Sequence, residues 1–326
     1  MSRTISAKEL KIGMYINLPS AWHAHPFFSN DFLITSDKQI RKILDYGIEY
    51  VNIDEKKGIP AAEAVKQELE EEPEKDFSGE MTIASEKLQE TLEDKKMLTA
   101  QRASLIRSHS VDMIKNLWGS PTTEKIAEFK KGIFGIVDMI MADDPACDPL
   151  LRLTSYEYNT YIHSANVGVL ATALAKAFLK KRDRHDMHAL GAGFFLHDIG
   201  KINIDESIFQ KKTSLTEEEM SLVRKHPGMG FRILNEAKHM GEESRLIIMQ
   251  HHERVDGKGY PKRLRGNEIH IYAKICSVAD VFDALVSKRP FKAQLKPFEA
   301  LKIMKDEMLD HFEADVFEKF VLLFKT

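Results

Sequence analysis

The stretch HDIGK, residues 197–201, follows directly on the apolar run ALGAGFFL, residues 189–196. An imidazole, a carboxylate and an ammonium thus end a segment that is otherwise suited to a hydrophobic core. Buried polar groups cost free energy unless each finds a partner, so the stretch predicts partners elsewhere in the chain. If the helix continues through it, His197 and Asp198 differ by about 100° around the axis and Lys201 lies one turn further on. All three side chains can then face one cleft.

The composition limits the class of protein. The chain has 326 residues, 43% of them hydrophobic and 30% charged, which is typical of globular protein with two domains. Its net charge of -3 gives no overall attraction to nucleic acid, so phosphate binding has to be local. Two cysteines are too few for a disulfide framework, and neither a membrane span nor a signal-peptide core is visible. These features predict a cytoplasmic protein.

The sequence predicts a small α/β domain ahead of a larger helical one. β-favouring runs at 14–18, 32–35 and 50–53 surround a helix with Ile40 and Leu44 at helical spacing. The loop Trp22–Phe28 carries two histidines, and we interpret its aromatic residues as a cap on the small core rather than as a ligand site. We therefore place the N-terminal domain at 1–60, a charged linker and the start of a helix at 61–97, and an all-α domain at 98–326.

Five imidazoles and two carboxylates recur at predicted helix ends and on apolar helices of the larger domain. They are His163, His197, Asp198, His226, His251, His252 and Asp280. Histidine and aspartate without thiolate are ligands that suit Fe, Mn, Ni, Co or Zn in a catalytic site. We predict two divalent ions, one on His163, His197 and Asp280, the other on His226, His251 and His252, with Asp198 bridging them. A water between two such ions can attack phosphorus, and Lys201 would contact a phosphate oxygen.

This ordered set resembles the HD-GYP family, bacterial phosphodiesterases of the HD superfamily that hydrolyse cyclic di-GMP. The resemblance rests on the ligand set, on HHE at 251–253, on DGKGYP at 256–261 and on RPFK at 289–292. It implies a mainly α fold, in which an all-helical HD-superfamily metal phosphohydrolase domain follows a small α/β domain. The start of the chain, with LKIGMY at 10–15 and HPF at 25–27, is similar to a domain of unknown function often fused to HD-GYP domains.

The resemblance also implies roles and partners. It makes the seven residues metal ligands for two ions, with Fe or Mn preferred, and makes Asp198 and Lys201 catalytic. Lys201, Arg289 and Lys292 become phosphate contacts, and Tyr260 part of a loop that faces substrate and partners. Cyclic di-GMP would be cut to pGpG, with slow or absent conversion to GMP. Diguanylate cyclases with a GGDEF domain, or other signalling proteins, are implied at that loop, and a homodimer is left open.

Two positions depart from the family pattern. Members with a third metal carry a glutamate one helical turn before the first histidine, where this chain has Asn159. Phe291 replaces a tyrosine that is frequent in the family. Two alternatives to a cyclic di-GMP phosphodiesterase stay open: a signalling module that binds cyclic di-GMP without efficient cleavage, and a generic HD phosphohydrolase acting on nucleotides.

Overall fold

The structure is a computed structural model, and the chain divides into two compact units, Met1–Asp76 and Phe77–Thr326. The described residues are 2–18, 31–34, 37–45, 48–60, 77–153, 159–179, 185–209, 211, 213–237, 241–287 and 294–324. Three sequence predictions fall elsewhere. The aromatic loop Trp22–Phe28 and the two phosphate contacts Arg289 and Lys292 lie outside the described residues.

The first unit contains a four-stranded antiparallel sheet in the order β1-β4-β2-β3. Its elements are β1 (Ser2–Ser6), β2 (Tyr15–Asn17), β3 (Asp31–Leu33), α1 (Asp37–Asp45) and β4 (Tyr50–Asp54). Ile16 on β2 lies opposite Phe32 on β3 and Ile53 on β4, so apolar side chains share one face of the sheet. The predicted small α/β domain is confirmed.

Two details of this unit differ from the sequence prediction. Strand β1 was not predicted, because Ile5 is the only large apolar residue in Ser2–Ser6 and gives no alternating pattern. In α1, Ile43 is fully buried whereas Leu44 is 38% exposed, so the buried stripe runs one residue earlier than the expected one.

The second unit is all-helical, as predicted. Its α-helices are α2 (Phe77–Glu93), α3 (Thr99–Gly119), α4 (Thr123–Met141), α5 (Cys147–Arg152), α6 (Thr160–Phe178), α7 (Met187–Phe195), α8 (Glu206–Phe209), α9 (Glu217–Val223), α10 (His226–Glu236), α11 (Glu242–Gln250), α12 (Ile271–Val286), α13 (Pro297–Glu307) and α14 (Ala314–Leu322). Among the helices described, none is long and apolar enough to cross a lipid bilayer.

The boundary between the units falls earlier than the one inferred from sequence. Helix α2 buries Met81, Leu88 and Leu92 in the same core as Ile106 of α3 and Phe129 of α4. Residues 77–97 therefore belong to the helical unit, whereas the sequence predicted a charged linker and the start of a helix at 61–97, ahead of the all-α domain. Their many charged side chains conceal an apolar stripe that occupies only one side of the helix.

Helices α6 and α12 are buried along most of their length, and this burial positions the polar residues they carry. The segment from His163 to Ala175 is buried throughout, and so is most of Tyr272–Val286. Phe194 at the end of α7 and Ile275 of α12 belong to one shared core. A histidine or an aspartate on such helices has to find its partner inside the protein.

Candidate metal centre

The structure brings all seven predicted ligands into one cluster. His163 lies in the first turn of α6, Asp280 lies on α12, and the other five lie at helix ends. His197 and Asp198 follow α7, His226 begins α10, and His251 and His252 follow α11. Six of the seven side chains are buried, and His252 is half-buried.

Asp198 lies at the middle of the cluster. Its Oδ1 atom is 3.1 Å from His226 Nε2 and 3.8 Å from His251 Nε2. Its Oδ2 atom is 3.5 Å from His197 Nε2 and 3.6 Å from His163 Nε2. Each oxygen thus faces a different pair of imidazoles, which is the arrangement that a bridging carboxylate requires.

Asp280 connects the same two sides of the cluster. Its Oδ1 atom is 3.1 Å from His163 Nε2, and its Oδ2 atom is 3.5 Å from His252 Nδ1. The candidate ligand atoms form two groups, each with all members within 4.8 Å of one another: Asp198 with His226, His251 and His252, and His163 with His197 and Asp280. This grouping matches the division predicted from sequence, with Asp198 close to both.

Backbone carbonyls fix the orientation of three imidazoles. Each donates its Nδ1–H to the carbonyl oxygen three residues earlier: His197 to Phe194 at 2.8 Å, His226 to Val223 at 2.8 Å, and His251 to Ile248 at 3.0 Å. Because a carbonyl oxygen only accepts, Nδ1 carries the proton and Nε2 presents a lone pair to the cluster. A metal-binding histidine typically donates such a hydrogen bond from the ring nitrogen that does not bind the metal, and the bond fixes the orientation of the ring.

The arrangement of these lone pairs fits divalent cations. His226 Nε2 and His251 Nε2 lie only 3.1 Å apart, so two lone pairs face each other unless a cation lies beside them. The buried Nε2 atom of His197 has no hydrogen-bond partner among the described residues. A metal ion would satisfy these atoms, and the imidazole and carboxylate donors suit Fe, Mn, Co, Ni or Zn.

Burial keeps three of the imidazoles neutral and therefore able to bind metal. It lowers the pKa of His197 to about 3 and lowers the pKa of His226 and His252 below their ordinary value. Burial alone would raise the pKa of the Asp198 carboxyl group, but the Lys201 ammonium outweighs it and holds that pKa well below its usual range. A carboxylate facing neutral imidazoles is the protonation state that metal binding needs.

The helix before Asp198 does not continue through the HDIGK stretch. Helix α7 stops at Phe195, and a turn leads into a short 3-10 helix, Ile199–Asn203. The Phe194 carbonyl accepts from the His197 ring, while the next turn brings Lys201 back to Asp198 in an ion pair. The three polar side chains still face one cleft, but a turn rather than a continuous helix places them there.

Gly200 allows this turn to approach α10 closely. A Cβ atom at this position would lie 2.0 Å from the carbonyl oxygen of His226 and 2.5 Å from the amide nitrogen of Gly230. Both are backbone atoms and cannot move independently of the helix. Only glycine fits, and the close contact holds His226 within reach of Asp198.

The loop after α11 is pinned beside the cluster. The buried Glu253 carboxylate accepts from the backbone amides of Lys262 at 2.6 Å and Leu264 at 2.9 Å. The Tyr260 ring stacks on His252 with ring centroids 4.7 Å apart. The predicted substrate-facing tyrosine therefore lies against a candidate ligand. Arg224, which no sequence motif singles out, places its guanidinium 5.9 Å from the centre of the Tyr260 ring.

Asn159 is a helix cap rather than a residue on the helical face of His163. Helix α6 begins at Thr160, and the Asn159 side chain accepts from the Tyr161 amide at 2.8 Å. Position 159 does lie one turn before His163, whose backbone amide donates to the Asn159 carbonyl at 2.9 Å, but Asn159 is the cap of the helix and not a residue within it. Asparagine is a favoured residue at this capping position, because its side-chain oxygen satisfies an amide that the helix leaves unpaired.

Comparisons with known proteins define the family. The profile of the HD domain matches residues 138–316, and that of a domain of unknown function, DUF3391, matches residues 2–125. The chain therefore belongs to the HD domain family, and it is of the HD-GYP type predicted from its sequence, preceded by a DUF3391 domain.

Relatives agree with this assignment. Cyclic di-GMP phosphodiesterase PA4108 of Pseudomonas aeruginosa is 29% identical over 98% of this chain and 76% of its own length. The cyclic di-GMP phosphodiesterase response regulator RpfG of Xanthomonas campestris is 47% identical over 30% of this chain and 26% of its own length. The 3'3'-cGAMP-specific phosphodiesterase 2 of Vibrio cholerae is 39% identical over 38% of this chain and 24% of its own length. The structure of Bd1817, a HDG"Y"P protein from Bdellovibrio bacteriovorus, aligns over the whole chain with a TM-score of 0.62 at 18% identity and supports the fold.

Proposed function

We propose that this protein is a metal-dependent phosphodiesterase that hydrolyses cyclic di-GMP to pGpG. The observation that carries the proposal is the closure of five imidazoles and two carboxylates into one buried cluster with Lys201 beside it. The names of the relatives support the substrate class, since several are cyclic di-GMP phosphodiesterases. The DGKGYP loop lies directly on this cluster through Tyr260 and His252.

The imidazoles, Asp198 and Lys201 have different roles in this proposal. Two divalent ions held here would supply an acidic water and positive charge for the oxygen that leaves phosphorus. The imidazole nitrogens that face the cluster offer lone pairs, and Asp198 offers one oxygen to each side. The Lys201 ammonium lies against Asp198, where it can also contact a phosphodiester oxygen by a charge-assisted hydrogen bond.

The deciding experiment is an assay of the anaerobically purified full chain, loaded with Fe²⁺ or Mn²⁺. Cyclic di-GMP and 3'3'-cGAMP are supplied separately, and products are separated by chromatography. We expect cyclic di-GMP to yield pGpG, with slow or absent formation of GMP. Binding without turnover would favour the signalling module instead. Turnover of mononucleotides but not of cyclic dinucleotides would favour the generic HD phosphohydrolase.

The substrate contacts can be tested at Arg289. We expect Arg289→Ala to reduce hydrolysis of cyclic di-GMP about 10- to 150-fold, since a lost hydrogen bond to a charged group costs about 1.5–3 kcal/mol. The metal content should not change, because a guanidinium is not a ligand. Arg41→Ala, which removes an exposed arginine of the first unit, is the matched control. Unchanged kinetics of the Arg289 variant would exclude Arg289 from the site.

The metal stoichiometry follows from Asn159. Its amide oxygen is occupied by the helix cap and carries no charge for a third cation, whereas the seven ligands suffice for two ions. We expect elemental analysis of the full chain to give close to two metals per chain, with Fe or Mn as the native ion. Asn159→Glu tests whether a carboxylate at this position adds a third. A reproducible ratio of three in the unmodified protein would contradict this interpretation.

We infer that residues 1–60 regulate or localise the enzyme. Within the described part of the chain, every member of the ligand cluster comes from the second unit. We further propose that GGDEF proteins or other signalling proteins bind at the loop around Lys258, whose side chain is exposed. We also propose that two copies of the chain can form a homodimer.

A further inference from the structure

One imidazole of the cluster is held differently from three others. His163 donates its Nδ1–H to a carboxylate oxygen, Asp283 Oδ2, at 2.7 Å, whereas His197, His226 and His251 donate to backbone carbonyls. Asp283 lies on α12 one turn after Asp280 and is only 2% exposed. The sequence analysis assigned it no role. Its signal was a second carboxylate in a helix that is apolar nearly all round.

Asp283 is itself held in place by two further donors. Its Oδ1 atom accepts from the Asn166 side-chain amide at 2.8 Å, and its Oδ2 atom accepts from the Ser287 hydroxyl at 3.2 Å. Asn166 lies three residues after His163 on α6, so one face of that helix provides both contacts. Three donors converge on one buried carboxylate, which fixes its position and therefore the orientation of the His163 ring.

A cation also faces this carboxylate from a helix outside the segment that matches the HD domain. Arg107 of α3 lines a small cavity together with Asn166 and Asp283. Burial lowers the pKa of Arg107, and the nearby Asp283 carboxylate opposes that change. The buried negative charge of Asp283 thus lies near a guanidinium. This proximity offsets part of the desolvation free energy of the carboxylate.

We propose that Asp283 is a positioning residue that acts through His163 and makes the ion position formed by His163, His197 and Asp280 the tighter of the two. This inference rests on the proposed function, because it takes the cluster to be a metal centre. A carboxylate acceptor at Nδ1 makes the imidazole a stronger metal ligand than a carbonyl acceptor does, and it brings a second negative charge to this position. At the other position the only carboxylate in the ligand group is Asp198, which is paired with Lys201.

The test is Mn²⁺ binding to the full chain, with free Mn²⁺ measured by electron paramagnetic resonance. We expect two binding phases in the wild-type protein, and His163→Ala should remove the tighter one. Asp283→Asn should weaken that same phase about 10- to 100-fold, as is typical for loss of an outer partner of a ligand, and leave the other phase unchanged. Asp138→Asn is the matched control, because Asp138 pairs with His188 at 2.7 Å on the surface.

A milder variant protects the test against misfolding. Ser287→Ala keeps the carboxylate and its contact with His163 but removes one donor to Asp283, so a loss of affinity of a few-fold in the same phase is expected. Wild-type affinities in Asp283→Asn, or equal weakening of both phases, would overturn the proposal. So would removal of the weaker phase by His163→Ala. If the wild-type protein binds two ions and hydrolyses cyclic di-GMP but Asp283→Asn has no effect, the proposed function is supported and the role proposed for Asp283 is excluded. A wild-type protein that binds neither Mn²⁺ nor Fe²⁺ would overturn both.

Discussion

Asp198→Ala should lose both ions and its phosphodiesterase activity together while keeping its helices. The two oxygens of Asp198 lie 3.1–3.8 Å from the Nε2 atoms of four histidines, so the substitution removes the carboxylate that these imidazoles share. We expect turnover to fall on the order of 1,000-fold or more, beyond the 10- to 100-fold typical of outer partners of a ligand. The helices should survive, because α6, α7 and α12 pack through apolar side chains.

The measurements are metal content, turnover of cyclic di-GMP and circular dichroism on the same preparation. Asp198→Asn preserves the shape of the side chain without its charge and should also lose metal, which separates electrostatics from packing. Asp148→Ala removes an exposed carboxylate on α5 and serves as the control. If Asp198→Ala retained both metals and wild-type turnover, its assignment as the bridge would be wrong.

Much of the cluster could be predicted because burial and polarity conflict in the sequence. Asp280 lies in a nearly continuous apolar helix, and His197 ends an apolar run. Neither is stable there without a strong partner, so the sequence itself requires one. Selecting these residues did not require the three-dimensional structure, because helix ends and buried helix faces are visible in the sequence as changes in hydrophobic periodicity. The structure brings together all seven residues selected in this way.

Contacts between distant segments could not be predicted in the same way. The hydrogen bond between His163 and Asp283 joins residues 120 positions apart, and no local pattern specifies it. The turn after α7 includes a hydrogen bond from the His197 ring to the Phe194 carbonyl, and hydrophobic periodicity does not specify such a side-chain contact. Asn159 was interpreted from its distance to His163, whereas its local role as a cap decided its conformation. Tertiary contacts and capping, rather than periodicity, determine these features.

Gly200 gives the second large effect that we expect. In Gly200→Ala the new Cβ atom would lie 2.0 Å from the His226 carbonyl oxygen and 2.5 Å from the Gly230 nitrogen, so the start of α10 has to move. Overpacking of this kind costs about 1–3 kcal/mol of unfolding free energy, and more where backbone is displaced. Because His226 Nε2 lies 3.1 Å from Asp198, the same displacement should weaken the ion position formed with His251 and His252.

Gly228→Ala is the matched control for this variant. Gly228 lies on α10, the helix that Gly200 approaches, and a Cβ atom there meets nothing within 4 Å, so the change should be neutral or stabilise the helix by up to about 1 kcal/mol. Thermal unfolding should therefore shift down by roughly 2–10 °C in Gly200→Ala and remain level or rise in Gly228→Ala. In Mn²⁺ titrations Gly200→Ala should lose the weaker phase first, which distinguishes it from Asp198→Ala, where both phases disappear. Equal melting temperatures and equal Mn²⁺ binding in the two glycine variants would show that the approach of residue 200 to α10 does not hold His226 in the cluster.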